Sequence, residues 1–151
     1  MEIKQGISGN HVPELTILSV TSPSEVETFL EMGTKNRSTA STNMNEHSSR
    51  SHLIYTIYLS GINLIENISF TSKLHLIDLA GSERLSKSLV SGDTQKEAIF
   101  INKSLSALGD VIAAKKNKSP HIPFRNSTLT YFLQSSLSGD SKTLMILQVL
   151  Y

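Results

Sequence analysis

Two polar motifs, each joined directly to an apolar segment, constrain the fold of this 151-residue chain more than any other feature. The first motif, Asn45 to His52, runs into the β-branched and aromatic stretch Leu53 to Leu59, which predicts a strand. The second, Asp78 to Glu83, leaves a predicted strand at Lys73 to Ile77. Because residues Gly61 to Asn67 between the strands read as a turn, we expect an antiparallel pair with both motifs at one end.

The remaining segments predict an α/β fold within one domain, residues 1–151. We expect a strand over Leu15 to Val20, a helix starting at Ser22-Pro23, a loop over Asn36 to Asn45, a helix from Thr94 to Ala114, a shorter helix over Ser127 to Leu137, and a final strand over Lys142 to Val149. The apolar stripe expected along the long helix comprises Ala98, Ile101, Leu105, Leu108 and Ile112.

Composition excludes several classes of protein. The formal charge is +1, so an electrostatic site has to be a local patch, and we expect no nucleic-acid partner. The chain has no Cys, which excludes a disulfide framework and a thiolate zinc site. No apolar run approaches the ~18 residues of a membrane span, so we expect a soluble intracellular protein without a membrane partner. The hydrophobic share of 38% predicts a small core.

The first motif offers hydroxyl groups and one guanidinium. Ser48, Ser49 and Ser51 carry donors suited to phosphate oxygens or to water on Mg²⁺. Arg50 supplies a planar fork that matches a carboxylate or a phosphate. The alternative is a polar loop whose serines cap its own backbone.

The second motif has a carboxylate where an apolar strand ends. In nucleotide-binding α/β folds such a position holds magnesium-bound water, which makes Asp78 a candidate. Gly81 lets a backbone N–H approach a phosphate closely, and Glu83 is a possible partner of Arg50. The alternative is a strand-end Asp that caps a turn, with Gly as a turn residue.

These motifs, Asn45 to His52 and Asp78 to Arg84, resemble switch I and switch II of the kinesin motor domain. The resemblance continues through three further segments in the family's order: Ile101 to Ile112, His121 to Ser127 and Gly139 to Met145. It therefore covers nearly the whole chain. Details such as Ser138 to Thr143 are similar to the C-terminal-motor, minus-end-directed kinesins.

The resemblance implies a partial P-loop NTPase fold and a set of catalytic residues: Arg50, Glu83, Ser49 and Asn45. It implies that Ser48, Ser49, Asp78 and Gly81 sense ATP and Mg²⁺. In this scheme Ser49 helps to hold Mg²⁺ and the γ-phosphate of the nucleotide. Asp78 holds a magnesium-bound water, and Gly81 donates its backbone N–H to the γ-phosphate. Arg50 and Glu83 form the bridge that orders the attacking water.

The resemblance also implies that microtubules are the partner, and hence a location in the cytoplasm on the cytoskeleton, the spindle included. The residues expected to face the acidic polymer are Lys87, Lys115, Lys116, Lys118, His121 and Arg125. The alternative is a solvated Lys-rich loop. One departure removes an expected positive charge, because Thr128 stands where the family usually has Lys.

The phosphate-binding motif Gly-x-x-x-x-Gly-Lys-Ser/Thr does not occur in the 151 residues. We therefore expect an incomplete central mixed sheet flanked by helices, with the final strand shifted beside Leu74 to Ile77 or left partly exposed. We also expect very weak ATP affinity and no hydrolysis by this chain alone. Three hypotheses stay open: part of an ATP-driven microtubule motor, a non-catalytic kinesin-like microtubule-binding protein, and an unrelated scaffold.

Overall fold

The computed structural model describes residues 2–6, 9–39, 51–82 and 93–148. The chain divides into two compact units, residues 18–98 and residues 1–17 with 99–151, which we call the hairpin unit and the helical unit. The elements in chain order are β1 (Lys4–Gly6), β2 (Gly9–His11), α1 (Pro23–Thr39), β3 (Leu53–Asn63), β4 (Ile68–Asp78), α2 (Asp93–Lys116), a 3₁₀ turn (Phe124–Asn126), α3 (Thr128–Phe132) and α4 (Gln134–Leu137).

Helix α1 begins where the sequence predicts. The Ser22 hydroxyl accepts the backbone N–H of Glu25 at 3.4 Å, and the Glu25 carboxylate accepts the N–H of Ser22 at 3.3 Å, which is a reciprocal capping box. The backbone N–H of Thr21 donates to the same carboxylate at 2.6 Å, and this bond lowers the pKa of Glu25. The loop predicted from Asn36 is wrong for residues 36–39, which stay helical.

Strands β3 and β4 form an antiparallel pair that is longer at its turn end than the sequence predicts. Leu53 lies opposite Asp78, and Asn63 lies opposite Ile68. The turn is confined to residues 64–67. The Asn63 side-chain oxygen accepts the N–H groups of Ile65 and Glu66, so the turn is closed by an Asn side chain.

Tyr55 on β3 fixes helix α1 against the hairpin. Its hydroxyl donates to the backbone oxygen of Leu30 at 2.6 Å and lies 3.0 Å from the Thr34 hydroxyl. Gly33 is needed at this crossing, because a Cβ there would lie 2.6 Å from Cε1 of the Tyr55 ring. A ring and a helix backbone therefore meet without an intervening side chain.

The helical unit holds most of the buried apolar side chains of the described residues. Those in this unit are Ala107, Leu108, Val111, Phe124, Leu129 and Leu133. The predicted stripe of α2 is partly wrong, because Ile112 is 40% exposed and the adjacent Val111 is fully buried. This helix, predicted from Thr94 to Ala114, is confirmed and extends from Asp93 to Lys116. The predicted helix over 127–137 is interrupted at Leu133, whose ψ of 3° departs from helical geometry and whose side chain is 3% exposed.

Thr130 links α3 to the 3₁₀ turn from a fully buried position. Its hydroxyl donates to the backbone oxygen of Phe124 at 2.7 Å and accepts from the Ser127 hydroxyl at 2.8 Å. The side-chain oxygen of Ser127 in turn accepts the backbone N–H of Thr130 at 3.1 Å, which makes Ser127 the N-cap of α3. This network fixes the chain from Phe124 to Thr130.

Two predicted strands are absent from the described residues. Residues 15–20 and 141–148 have no regular secondary structure, and in the second segment Leu144 and Ile146 are each 86% exposed. A strand is stable only beside a neighbour, and in the part of the chain that the structure describes β4 pairs with β3 alone. The expectation that the final segment stays exposed is therefore confirmed. Among the described residues no helix is long and apolar enough to cross a membrane.

We predict that Thr130→Val lowers the free energy of unfolding by about 1–3 kcal/mol, because it leaves the buried Phe124 oxygen without its hydroxyl donor and the Ser127 hydroxyl without its hydroxyl partner, although the backbone N–H of residue 130 still donates to Ser127. Thr128→Val is the matched control, since Thr128 lies in the same short helix and is exposed. Urea titration followed by circular dichroism measures both. Equal stability of the two variants would contradict the role of the Thr130 network.

Candidate functional site

The ends of the two polar motifs meet at one end of the hairpin, as the sequence predicts. Ser51 and His52 enter β3, and Asp78 ends β4 opposite Leu53. The described part of the first motif therefore lies beside the described part of the second. A one-residue slip in this register would move these side chains to opposite faces of the pair.

Arg37 in the last turn of α1 connects the two motifs, and the sequence analysis missed it. One terminal nitrogen donates to the Asp78 carboxylate at 2.5 Å, and the other donates to the backbone oxygen of Ser51 at 2.7 Å. The remaining guanidinium nitrogen, Nε, lies 3.2 Å from the Ser51 hydroxyl. The planar fork of Arg suits such simultaneous bonds. The available signal was a basic residue eight positions before the motif from Asn45 to His52.

The Arg37–Asp78 pair is asymmetric in its exposure. The Arg37 side chain is 9% exposed, whereas that of Asp78 is 69% exposed. Arg37 is therefore fixed by its surroundings, and it holds the carboxylate at the open end of the hairpin. An open carboxylate with a second oxygen is a hard-oxygen donor of the type that Mg²⁺ prefers. Asp78 thus fits a magnesium-bound water, although the described residues contain no cluster of three or more His, Cys, Asp or Glu that would hold a metal by themselves.

His52 forms a second connection between the motifs. The backbone N–H of Ala80 donates to Nδ1 of His52 at 3.0 Å, which requires that Nδ1 be unprotonated. Burial, and secondarily the nearby Arg37 charge, lower the pKa of His52 below its ordinary value. Ala80 is itself 4% exposed. His52 therefore remains neutral near pH 7 and orients the chain that leads from Asp78 towards Gly81.

The other predicted residues of this site fall outside the described residues. These are Asn45, Ser48, Ser49, Arg50 and Glu83, together with Lys87 of the predicted partner surface. Gly81 is exposed and lies in the non-helical segment that follows the end of β4 at Asp78. The structure thus places the margins of the two motifs, and the roles of their central residues stay predictions.

The predicted basic residues of the helical unit lie along one continuous segment and are all exposed. This basic segment comprises Lys115, Lys116, Lys118, His121 and Arg125. The ammonium group of Lys115 donates to the backbone oxygen of Leu137, which ties the end of α2 to the end of α4. Arg125 lies 5.7 Å from the centre of the Tyr131 ring, within the range of a cation–π contact.

The end of α2 has the geometry of a Schellman motif. The N–H of Ser119 donates to the oxygen of Ala114 at 2.9 Å, and that of Lys118 donates to the oxygen of Lys115 at 3.0 Å. Lys118 has a φ of 52°, the left-handed conformation that usually belongs to Gly or Asn. This turn redirects the chain, so that the lysines on both sides of it remain on the surface.

Residues 1–150 match the sequence model of the kinesin motor domain. The chain belongs to the kinesin family. It is 55% identical to the kinesin-like protein KIN-14R of Oryza sativa subsp. japonica over 99% of this chain and 15% of that protein. Its structure is similar to the motor domain of the kinesin-related protein Kar3 of Saccharomyces cerevisiae, with 49% identity and a TM-score of 0.79 over 95% of this chain and 45% of that one.

A third relative is KIF14, solved as a dimer with AMP-PNP in complex with a microtubule. The identity is 41% and the TM-score 0.78, over 93% of this chain and 42% of that one. The α/β prediction is confirmed, because the chain has the architecture of part of these kinesin motor domains. It spans only 12% to 20% of the length of the curated relatives that it matches.

We predict that the kinesin hairpin unit loses stability on acidification. His75 also has a lowered pKa, caused by burial and then by the Lys73 charge, and its Nδ1 lies 2.8 Å from the Thr56 hydroxyl. Because both histidines bind protons more readily when unfolded, the free energy of unfolding falls as pH drops below about 6.5 towards the folded pKa values. Urea titrations at about pH 7.5 and 5.5 measure the difference.

His52→Asn combined with His75→Asn should flatten this dependence, since Asn does not titrate and its side-chain oxygen replaces the Nδ1 acceptor of His52. His121→Asn is the control, because His121 is exposed. A double variant as sensitive to acid as the unchanged protein would contradict the assignment.

Proposed function

We propose that this chain supplies the nucleotide-sensing and microtubule-facing part of a kinesin motor, which moves on microtubules by ATP hydrolysis in the complete protein. The observation that carries the proposal is the meeting of the two motifs through Arg37, with Ser51 at 2.7 Å and Asp78 at 2.5 Å. A sensor of one phosphate needs groups from both switches at one point. The register of β3 and β4 supplies that arrangement.

ATP and Mg²⁺ are the proposed cofactors of the complete motor. Magnesium, when bound, neutralises charge on the phosphate oxygens. Asp78 would hold a magnesium-bound water, Ser49 would help to hold Mg²⁺ and the γ-phosphate, and Gly81 would donate its N–H to the γ-phosphate, with Ser48 beside them as a further nucleotide-sensing residue. The 69% exposure of the Asp78 side chain supports this assignment, because the carboxylate is open to a ligand.

Catalysis is proposed to rest on Arg50, Glu83, Ser49 and Asn45, as in the motor domains that the chain resembles. Arg50 and Glu83 would pair and thereby position water, since phosphoryl transfer depends mainly on positioning and charge stabilisation. Arg37 has a different role in this scheme. It holds Asp78 and Ser51 together and so sets the distance between the two switches.

We predict no ATP hydrolysis by the 151-residue chain, because it lacks the phosphate-binding motif. Joining it behind the preceding part of the rice KIN-14R motor domain should restore microtubule-stimulated turnover. In that chimera Arg50→Ala or Glu83→Ala should lower kcat by about 100-fold or more. Hydrolysis by the chain alone, or full activity of the Arg50→Ala chimera, would contradict the proposal; Lys142→Ala is the exposed control.

Microtubules are the proposed partner, and the cytoskeleton, with the spindle, is the proposed location. The KIF14 relative was solved in complex with a microtubule. In this chain the basic segment from Lys115 to Arg125 offers an exposed, positively charged surface to an acidic polymer. The C-terminal-motor subfamily and its minus-end direction also belong to this proposal, supported by the KIN-14 relatives.

The two compact units are proposed to be parts of one motor domain, because the kinesin match runs through both. A second function, a non-catalytic microtubule-binding protein, is favoured by one observation. Every residue of the basic segment lies in the helical unit, whereas Arg37 and its partners Ser51 and Asp78 lie in the hairpin unit. In this second function the helical unit would bind microtubules without nucleotide hydrolysis in the hairpin unit.

We predict weak, salt-dependent sedimentation of this chain with microtubules. The triple variant Lys115→Gln, Lys116→Gln and Lys118→Asn should lower the bound fraction several-fold, because three positive charges are lost while Asn still adopts the left-handed turn. The control neutralises the exposed Lys4, Lys35 and Lys142. Equal loss in both triple variants, or no loss in either, would contradict a role for the basic segment.

A further inference from the structure

A Ser-Pro pair lies in the centre of the basic segment and has no role in the proposed function. Ser119 and Pro120 directly follow the Schellman turn of α2, and residues 119–123 form a non-helical connection to the 3₁₀ turn. Ser119 is partly exposed and Pro120 is exposed. In the part of the chain that the structure describes, the backbone N–H of Ser119 is paired with Ala114, whereas its hydroxyl enters no hydrogen bond.

Proline after the serine restricts both conformation and recognition. A residue before proline is driven out of the helical region into extended backbone, which is the conformation that an enzyme cleft requires of a peptide. Proline has no backbone N–H, so an enzyme binds the Ser-Pro pair only if its cleft requires no hydrogen bond from the residue after the serine. These features suit a protein kinase that takes proline immediately after the acceptor serine.

The other Ser-Pro pair of the chain shows what an unsuitable site looks like. Ser22 caps helix α1 through its hydroxyl, and Pro23 is the first residue of that helix. An enzyme would have to unwind the capping box to reach the Ser22 hydroxyl. The Ser119 hydroxyl caps no helix, and a cleft that binds the residues around it has to open only the backbone hydrogen bonds of the helix end, those of Asn117, Lys118 and Ser119, at a net cost of about 1 kcal/mol each.

The charges beside Ser119 determine what a phosphate there would do. Lys118 precedes it, and Lys115 and Lys116 occupy the last turn of α2. A phosphoserine carries about −1.5 to −2 charges at pH 7. Within one turn it would offset about half of the three positive charges, and it would accept hydrogen bonds from the same ammonium groups that are proposed to face the microtubule.

We propose that Ser119 is a phosphorylation site for a proline-directed kinase and that its phosphorylation weakens microtubule binding. This regulation rests on the proposed function of the basic segment. The Ser119 oxygen attacks the γ-phosphorus of a nucleoside triphosphate, so that an O–P bond forms and the bond from that phosphorus to the β-phosphate oxygen breaks. The nucleoside diphosphate leaves, and the serine proton passes to the carboxylate base of the kinase.

The test uses the full 151-residue chain, a proline-directed kinase with ATP, and mass spectrometry to locate the phosphate. We expect modification at Ser119 and none at Ser22. Sedimentation with microtubules at low salt should then show affinity lowered by roughly threefold to tenfold, with the difference shrinking as salt rises. Ser119→Ala should bind as the unmodified protein does and should resist the kinase.

A charge control separates the local effect from a change of net charge. Ser119→Asp should weaken binding, whereas Ser24→Asp adds the same charge in the first turn of α1, where acidic residues are favourable, and should leave binding unchanged. Circular dichroism checks that the variants fold. If Ser119→Asp does not fold, the effect of negative charge on microtubule binding is measured with the phosphorylated protein.

The two proposals fail in different ways. If the unmodified chain sediments and the triple lysine variant does not, but phosphorylated Ser119 protein binds as well as before, this inference alone is overturned. Failure of the kinase to modify Ser119 while it modifies Ser22 also overturns it. If the unmodified chain does not sediment with microtubules at any salt concentration, the proposed function fails, and the regulation fails with it.

Discussion

The register of the β3–β4 pair is the constraint on which the candidate site depends. Leu53 opposite Asp78 brings Ser51 and His52 to the strand end from which Ala80 and Gly81 depart. Backbone pairing along two strands of 11 residues fixes this alignment over a long distance. The pairing of β3 with β4 therefore brings the described margins of the two motifs together.

Arg37 fixes the distance between Ser51 at the start of β3 and Asp78 at the end of β4. Its largely buried guanidinium bonds to Ser51 and Asp78, so a movement of either motif relative to the other has to break a charge-assisted hydrogen bond. The position of Arg37 depends in turn on Tyr55 and Gly33, which bring α1 close to β3. A glycine and a tyrosine outside the two motifs thus contribute to the geometry of the site.

The helical unit builds its surface by different means. The fully buried Thr130 fixes the segment that carries Arg125, and the Schellman turn at Lys118 fixes the end of the helix that carries Lys115 and Lys116. The same turn leaves Ser119 in the non-helical connection that follows those lysines. The basic residues and Ser119 therefore lie together at one helix end, because the geometry that ends the helix also leaves its flanking residues at the surface.

The sequence by itself determined the family, through its motifs, and also the helix starting at Ser22, the paired strands and the meeting of the motif margins at one end of the pair. These structural features follow from local patterns of apolar, capping and turn residues. Only the tertiary structure decided that Arg37 joins the motifs, that Val111 rather than Ile112 is buried, and that residues 142–148 remain without a strand partner. These outcomes depend on which segments lie beside one another. The local sequence around an Arg at a helix end, or around an apolar run, does not show which segment packs against it. A capping box, in contrast, is complete within four residues.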